Sequence, residues 1–353
     1  MKILIVMLAS VFVVSTLWSN SLDSLLDIAL KVSPKIKMLQ SKQVATEARI
    51  PQVSNLSDPV LSIGTMSLPL SKFSFREDPM TAKAIGVTQM FPFPGRLEAR
   101  AAVEQKDVEI VQQEIAFAKL EIIREVSKNY YDLWFIREAL KLAKKNIEIL
   151  RNISEIVQTK FTVGMASLSD AIQVESDITM LNERIIELEA KEKSLVSVLN
   201  AYLLRPVNSI ITTDSLRDIP NIELDSEVWL SLAKENNPYL RQIILSEQKS
   251  KSYENFANFE FYPNFGLSLQ YLQRDALGGS VGSGMDMVSL MFDIELPIDY
   301  GGKKSSMVEE AKVMQKMYSE EYQMALQMLN IEFVKALAEL QEMQKRAKLI
   351  YEV

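Results

Sequence analysis

Few residue types in this chain could perform catalytic chemistry. It contains neither histidine nor cysteine, which excludes zinc sites of the usual kind, disulfides, thiol catalysis and histidine acid–base chemistry. Four carboxylates, those of Glu98, Glu104, Asp107 and Glu109, lie close together in one polar segment. No partner base accompanies them, so a solvated helix face explains them better than a catalytic site. We therefore expect no enzyme activity and no cofactor.

The 17 methionines are the second chemical candidate, because thioethers bind soft metal ions such as Cu(I). Three are close in sequence, and five follow the spacing of a helix: Met285, Met287 and Met291, then Met307, Met314, Met317, Met324 and Met328. Methionine at helical spacing packs more often than it binds metal. We therefore expect no metal site, and a Cu(I)-type site is the alternative.

Glycine and proline, which break helices, are unevenly distributed. Only Gly164 lies between Gly95 and Gly266, and no proline lies between Pro94 and Pro206. This disfavours a doubly wound α/β enzyme, which needs frequent turns. The apolar fraction of 48% and the charged fraction of 24% are those of an ordinary folded protein. The formal net charge of −7 disfavours nucleic-acid binding.

Residues 1–21 have the pattern of a secretory signal peptide. Lys2 is followed by a mostly apolar run from Ile3 to Trp18, and Ser19-Asn20-Ser21 places small residues at a cleavage site. An N-terminal membrane anchor is the alternative. No later stretch is apolar enough for a transmembrane helix. Export without any cysteine suits a protein of the bacterial envelope.

The chain contains an internal repeat. Pro34 and Pro59 are 25 residues apart, and so are Pro238 and Pro263. A strand-like region and then a long helical segment follow each pair. This predicts a first repeat over residues 22–204, and a connector with a second repeat over residues 205–353. The second copy is expected to be incomplete, with its first long helix only, and the chain to be truncated at its C-terminus.

Alternating apolar and polar residues predict a β-hairpin in each repeat. Polar or glycine-rich connectors, residues 71–81 and 273–284, separate the two strands of each hairpin. The apolar series in the second copy comprises Phe265, Leu267, Leu269 and Tyr271, then Val288, Leu290, Phe292, Ile294 and Leu296. Two faces of unlike polarity suit a membrane barrel with lipid outside and water inside. A soluble sheet with one wet face is the alternative.

Long coiled-coil helices follow each predicted hairpin. An apolar seam steps by three and four residues through Leu133, Ile136, Leu140, Ala143, Ile147 and Leu150. Gly164 permits a turn, Ser167 or Ser169 can cap the next helix, and residues 170–204 return with their own apolar seam. The fold predicted for one repeat is therefore a β-hairpin followed by a long α-hairpin.

These features resemble the TolC-like outer-membrane efflux proteins over residues 22–353. Asn237-Pro238 matches the start of a short helix typical of the family, whereas Ser33-Pro34 departs from it. The segment 89–96, QMFPFPGR, is similar to the family's passage from strand to helix, especially among members associated with metal efflux. The segment 160–170, KFTVGMASLSD, resembles the tip of the family's helical hairpin.

The resemblance implies an α+β membrane protein of the outer membrane. Three copies would form a twelve-stranded β-barrel, and their helices would form a tunnel in the periplasm. The tip, at Val163, Gly164 and Met165, would contact a periplasmic adaptor protein, which connects to an inner-membrane pump of the RND or ABC type. The implied function is a passive exit duct of a tripartite efflux or type I secretion system. The residues do not indicate its cargo.

Two other functions compete with this one. A soluble periplasmic coiled-coil adaptor or scaffold would explain the signal peptide and the heptads, but not the duplicated alternating strands. An envelope hydrolase would have to rely on carboxylates alone, and none are convincingly grouped.

Overall fold

The computed structural model describes residues 21–214, 225–276 and 284–351, so most of the predicted signal peptide lies outside the described residues. The chain is mostly helical, with one small sheet. Its helices are α1 (Leu22–Val32), α2 (Pro34–Glu47), α3 (Arg49–Ser54), α4 (Arg96–Thr162), α5 (Leu168–Tyr202), α6 (Ser226–Asn236), α7 (Pro238–Phe259) and α8 (Lys303–Tyr351). The strands are β1 (Val60–Met66), β2 (Ala82–Phe91), β3 (Asn264–Gln273) and β4 (Met287–Glu295).

The chain groups into two compact units. One comprises residues 1–37 with 118–222, and the other comprises residues 38–117 with 223–353. These units do not follow the predicted boundary between residues 204 and 205, because each takes segments from both sides of it. That boundary describes a sequence duplication rather than a compact unit, and it stays a prediction.

In the first unit, the predicted seam of α4 packs against α5. Leu133 is fully buried beside Leu199, and Leu140 is packed with Leu188 in a second cluster further along the helices. The other seam residues up to Ile147 are buried as well. This confirms the coiled-coil hairpin, whose stability derives from apolar contacts between the two helices rather than from helix propensity.

After α5, buried polar contacts fix the chain to this hairpin. The Asn200 side chain is fully buried and donates hydrogen bonds to the carbonyl oxygens of Val207 and Ser209, at 3.1 and 2.8 Å. The backbone N–H of Asp214 donates to the Tyr130 hydroxyl at 3.0 Å. A lone asparagine inside a helix gives no periodic signal, so the role of Asn200 was not predicted from the sequence.

Both proline-led helices begin with a capping side chain. The Asn237 side chain accepts hydrogen bonds from the N–H groups of Tyr239 and Leu240, at 2.9 and 3.2 Å, at the start of α7. The Ser33 hydroxyl accepts one from Ile36, at 3.4 Å, near the start of α2. The serine that departs from the family pattern thus performs the same capping role with a single bond.

The four strands form one antiparallel sheet in the second unit, in the order β1-β2-β3-β4. The hairpins β1-β2 and β3-β4 were both predicted, and the sheet joins them through β2 and β3. Paired residues of these two strands include Val87 with Leu269, and Ile85 with Tyr271. Pairing in this register places the apolar series of both hairpins on one face.

The carboxylate segment of α4 is less solvated than expected. Glu98 is exposed, but the Asp107 carboxylate accepts a hydrogen bond from Lys249 of α7 at 2.8 Å, and one Glu104 oxygen is buried without a hydrogen-bond partner. The expectation of a fully solvated face was wrong here, because α7 contacts this part of α4. Of the α8 methionines, Met317 and Met328 are about half exposed, so packing explains only part of that series.

We predict that Leu133→Ala lowers the free energy of unfolding by about 2–5 kcal/mol, because it leaves a cavity in a fully buried cluster. The matched substitution Leu70→Ala, in a loop where the side chain is 84% exposed, is expected to change it by less than about 0.5 kcal/mol. Denaturant unfolding in detergent, followed by helical circular dichroism, measures both. Equal effects of the two substitutions would contradict the assignment of the core.

Candidate functional site

One face of the sheet presents apolar side chains in rows that cross all four strands. One such row follows the pairing of residues from each strand to its neighbour, and it contains Leu61, Val87, Leu269 and Leu290. The row beside it contains Ile63, Ile85, Tyr271 and Val288. These side chains are between 42% and 77% exposed. We call this surface the apolar face.

The opposite face carries mostly small and polar residues, together with the four methionines of the strands, and we call it the polar face. Ser62, Gly86 and Gln270 form a row there, and the Thr88 and Ser268 hydroxyls lie 2.9 Å apart in a hydrogen bond. Small residues such as Ala84 are buried on this face. Crowding of small side chains is typical of the inner side of a curled sheet.

The two outer strands of the sheet leave unpaired edges. In the described part of the chain, β1 pairs only with β2 and β4 only with β3. Each of these strands therefore leaves N–H and C=O groups along its outer edge without a strand partner. An open edge beside an exposed apolar face is a liability unless another strand covers it.

Arg96 fixes the passage from the sheet to the helices. Its side chain is 11% exposed and forms an ion pair with Glu260 at 2.5 Å. It also donates to the Asn264 side chain at 2.5 Å, and Asn264 donates to Glu295 at 2.6 Å. Charge-assisted bonds thus connect the starts of α4 and β3 with the end of β4. Arg96 belongs to the QMFPFPGR segment, but this network was not predicted from that motif.

In the other unit, a glycine turn ends α4. Gly164 has a φ of +76°. Its N–H donates a hydrogen bond to the carbonyl oxygen of Phe161 at 3.0 Å, and the N–H of Met165 donates one to the carbonyl oxygen of Lys160 at 2.8 Å. These two bonds make a Schellman motif, which requires a left-handed residue at the glycine position. A Cβ placed at Gly164 would meet no atom within 4 Å, so the conformation rather than crowding selects glycine.

Ser167 caps α5 on the other side of the turn, whereas Ser169, the alternative cap, does not. The Ser167 hydroxyl accepts a hydrogen bond from the N–H of Asp170 at 3.1 Å. The Asp170 carboxylate in turn accepts one from the N–H of Ser167 at 2.9 Å. The latter bond is the main cause that lowers the pKa of Asp170 below its usual value. The cap is therefore stable at neutral pH and weakens as the pH falls through that lowered pKa.

The predicted contact residues lie together on this turn, which we call the hairpin tip (residues 161–168). Val163 and Met165 are 65% and 80% exposed, and Phe161 and Leu168 add further exposed apolar surface. Four exposed apolar side chains around a rigid turn form a surface suited to contact with another protein.

The described residues contain no group of three or more carboxylates that could hold a metal ion. Within the described ranges, no helix is both long enough and apolar enough to cross a membrane.

We predict that Gly164→Ala destabilises the end of α4 by about 1 kcal/mol, because alanine must adopt the left-handed conformation. Gly164→Asn should cost less, since asparagine adopts that conformation more easily. Amide hydrogen exchange at the last turn of α4 measures both changes. Slower exchange in the alanine variant than in the asparagine variant would contradict this explanation.

Solved structures share this fold. CusC, whose structures concern transmembrane channel formation, matches with a TM-score of 0.75 and 16% identity over 93% of this chain and 77% of CusC. The outer membrane protein VceC of Vibrio cholerae matches with a TM-score of 0.71 and 15% identity, over 92% of this chain and 80% of VceC. The MtrE outer membrane channel of Neisseria gonorrhoeae matches with a TM-score of 0.70 and 16% identity, over 94% of this chain and 75% of MtrE. At these identities the likeness establishes the fold.

Among curated protein sequences, none matches the chain significantly. A family model, outer membrane efflux protein, matches residues 25–201 and 229–352. The two matched segments contain the two hairpins of the sheet, one in each, and they cover most of the chain. The resemblance stated from the sequence is thereby confirmed, and the chain belongs to the outer membrane efflux protein family, whose members are transport ducts rather than enzymes.

Proposed function

We propose that three copies of this chain form a channel in the bacterial outer membrane. The exposed apolar face of the sheet, flanked by two open edges, carries the proposal. Such a face is stable in lipid, where backbone groups must all be paired within the protein. Strands β2, β3 and β4 have 10, 10 and 9 residues, which matches the roughly 9–11 residues of a membrane-spanning strand.

Closure of the barrel requires other copies of the chain. The described part of each chain supplies four strands, fewer than the roughly eight of the smallest membrane barrels. Three chains supply twelve, in agreement with the trimer that the family resemblance implies. Joining β1 of one copy to β4 of the next would pair both open edges. The long helices would form the periplasmic tunnel that the family resemblance implies.

In this proposal the channel is the passive outer part of a tripartite efflux system, or of a type I secretion system. An inner-membrane pump of the RND or ABC type supplies the energy, and a periplasmic adaptor connects pump and channel. Val163, Gly164 and Met165 contact the adaptor. The exposure of Val163 and Met165 at a rigid turn supports this role, because a preorganised apolar surface loses little entropy on binding.

We expect Leu269→Arg to prevent stable insertion, because arginine on the lipid side of a barrel costs about 2–4 kcal/mol near the midplane. The adjacent substitution Gln270→Arg introduces the same charge on the polar face and should be tolerated. Membrane fractionation and resistance of the trimer to urea in lipid vesicles measure the difference. Equal tolerance of both, with recovery in a soluble periplasmic extract, would instead support the soluble scaffold.

We expect Met165→Asp to weaken adaptor binding roughly tenfold or more, because burial of one methionine contributes about 1.5–3 kcal/mol. Replacing Gly164 with a bulky residue should weaken it as well, without abolishing trimers. Asn182→Asp, which adds the same charge at an exposed α5 position, is the control. Efflux-dependent resistance in cells with the adaptor and pump measures coupling, and unchanged resistance in Met165→Asp would count against the tip.

A further inference from the structure

Methionine and aromatic residues occupy opposite faces of the sheet. The strands contain four methionines, and the pairing places all of them on the polar face: Met66, Met90, Met287 and Met291. The four strand aromatics are all on the apolar face: Phe91, Phe265, Tyr271 and Phe292. Hydrophobicity alone would place methionine with the aromatics. This distribution therefore needs another explanation.

The charges on the polar face have one sign. Asp293 and Glu295 of β4 lie there, whereas Lys83, the only cationic residue of the four strands, belongs to the apolar face. In the described part of the chain, no cationic side chain forms an ion pair with Asp293. Arg96 lies near the base of the sheet, but Glu260 compensates its charge. The polar face thus combines four thioethers with two carboxylates and no cation.

A thioether and a carboxylate approach each other at Gly266. A Cβ placed on this glycine would lie 3.0 Å from the Met90 sulfur and 3.3 Å from one carboxylate oxygen of Asp293. The missing side chain therefore leaves room for both groups above the same residue. Sulfur of a thioether favours soft ions such as Cu(I), and the carboxylate supplies the opposite charge.

We propose that the polar face conducts soft monovalent metal cations, Cu(I) or Ag(I), as cargo. The inference rests on the proposed channel, in which this face lines the water-filled pore. Met90 with Asp293 forms one contact point, and Met66, Met287 and Met291 form others along the strands. Weak binding at several points suits conduction, since an ion must be able to enter and also to leave. The absence of aromatic side chains from this face disfavours stacking of planar organic cargo.

Titration of the purified full-length trimer with Ag(I), followed by the ε-methyl NMR signals of 13C-labelled methionine, tests the proposal. We expect the Met66, Met90, Met287 and Met291 signals to shift, and replacement of all four by leucine to weaken binding at least tenfold. The control replaces Met317, Met324 and Met328 of α8, which have similar exposure, and should leave Ag(I) binding unchanged.

Two single substitutions test the contact point without a large change in the sheet. Asp293→Asn should weaken the Ag(I)-induced shift of the Met90 methyl signal several-fold, and Met90→Leu should lower the Ag(I) affinity of the trimer. Unchanged Ag(I) binding in the fourfold leucine variant, or an equal loss in the α8 control, would overturn the proposal. Membrane insertion of the Gln270→Arg and Leu269→Arg variants tests the channel itself. Failure of the metal-cargo proposal can therefore be distinguished from failure of the channel proposal.

Discussion

The apolar face of the β1–β4 sheet is the constraint on which the other features depend. Rows of leucine, valine and isoleucine cross four strands, and the described chain leaves them largely exposed. In water such a surface together with two free strand edges would cause aggregation. In a lipid bilayer the same surface is favourable, provided that the edges are paired. The proposed location in a membrane and the proposed assembly with other copies would therefore be two consequences of one surface.

The helical hairpin is held together in a different way, without a thick core. The α4–α5 hairpin is held by one heptad seam, in which Leu133 and Leu199 are fully buried. Its end is fixed by backbone geometry, with a left-handed Gly164 and a capping box at Ser167. Exposed apolar residues at the tip are thus presented on a turn with a fixed backbone, which would reduce the entropy lost on contact with the proposed adaptor.

Periodic features could be predicted from the sequence, and isolated contacts could not. The seam around Leu140, both hairpins and the turn at Gly164 repeat or break a pattern, so each leaves a signal that extends over many residues. The Arg96 network and the Asn200 bonds to the following chain join residues that are distant in sequence or carry no pattern. The segregation of methionine onto one face required the pairing of β2 with β3, which single-strand alternation does not specify.

The central claim is that alternate residues of one strand face lipid and water. Because the chain has no cysteine, single cysteines at positions 266–272 can carry nitroxide spin labels in trimers reconstituted in lipid vesicles. Accessibility to oxygen and to a water-soluble nickel complex is then measured at each position. The account predicts oxygen maxima at 267, 269 and 271 and nickel maxima at 266, 268, 270 and 272. Nickel accessibility on both faces, or no period of two, would contradict it.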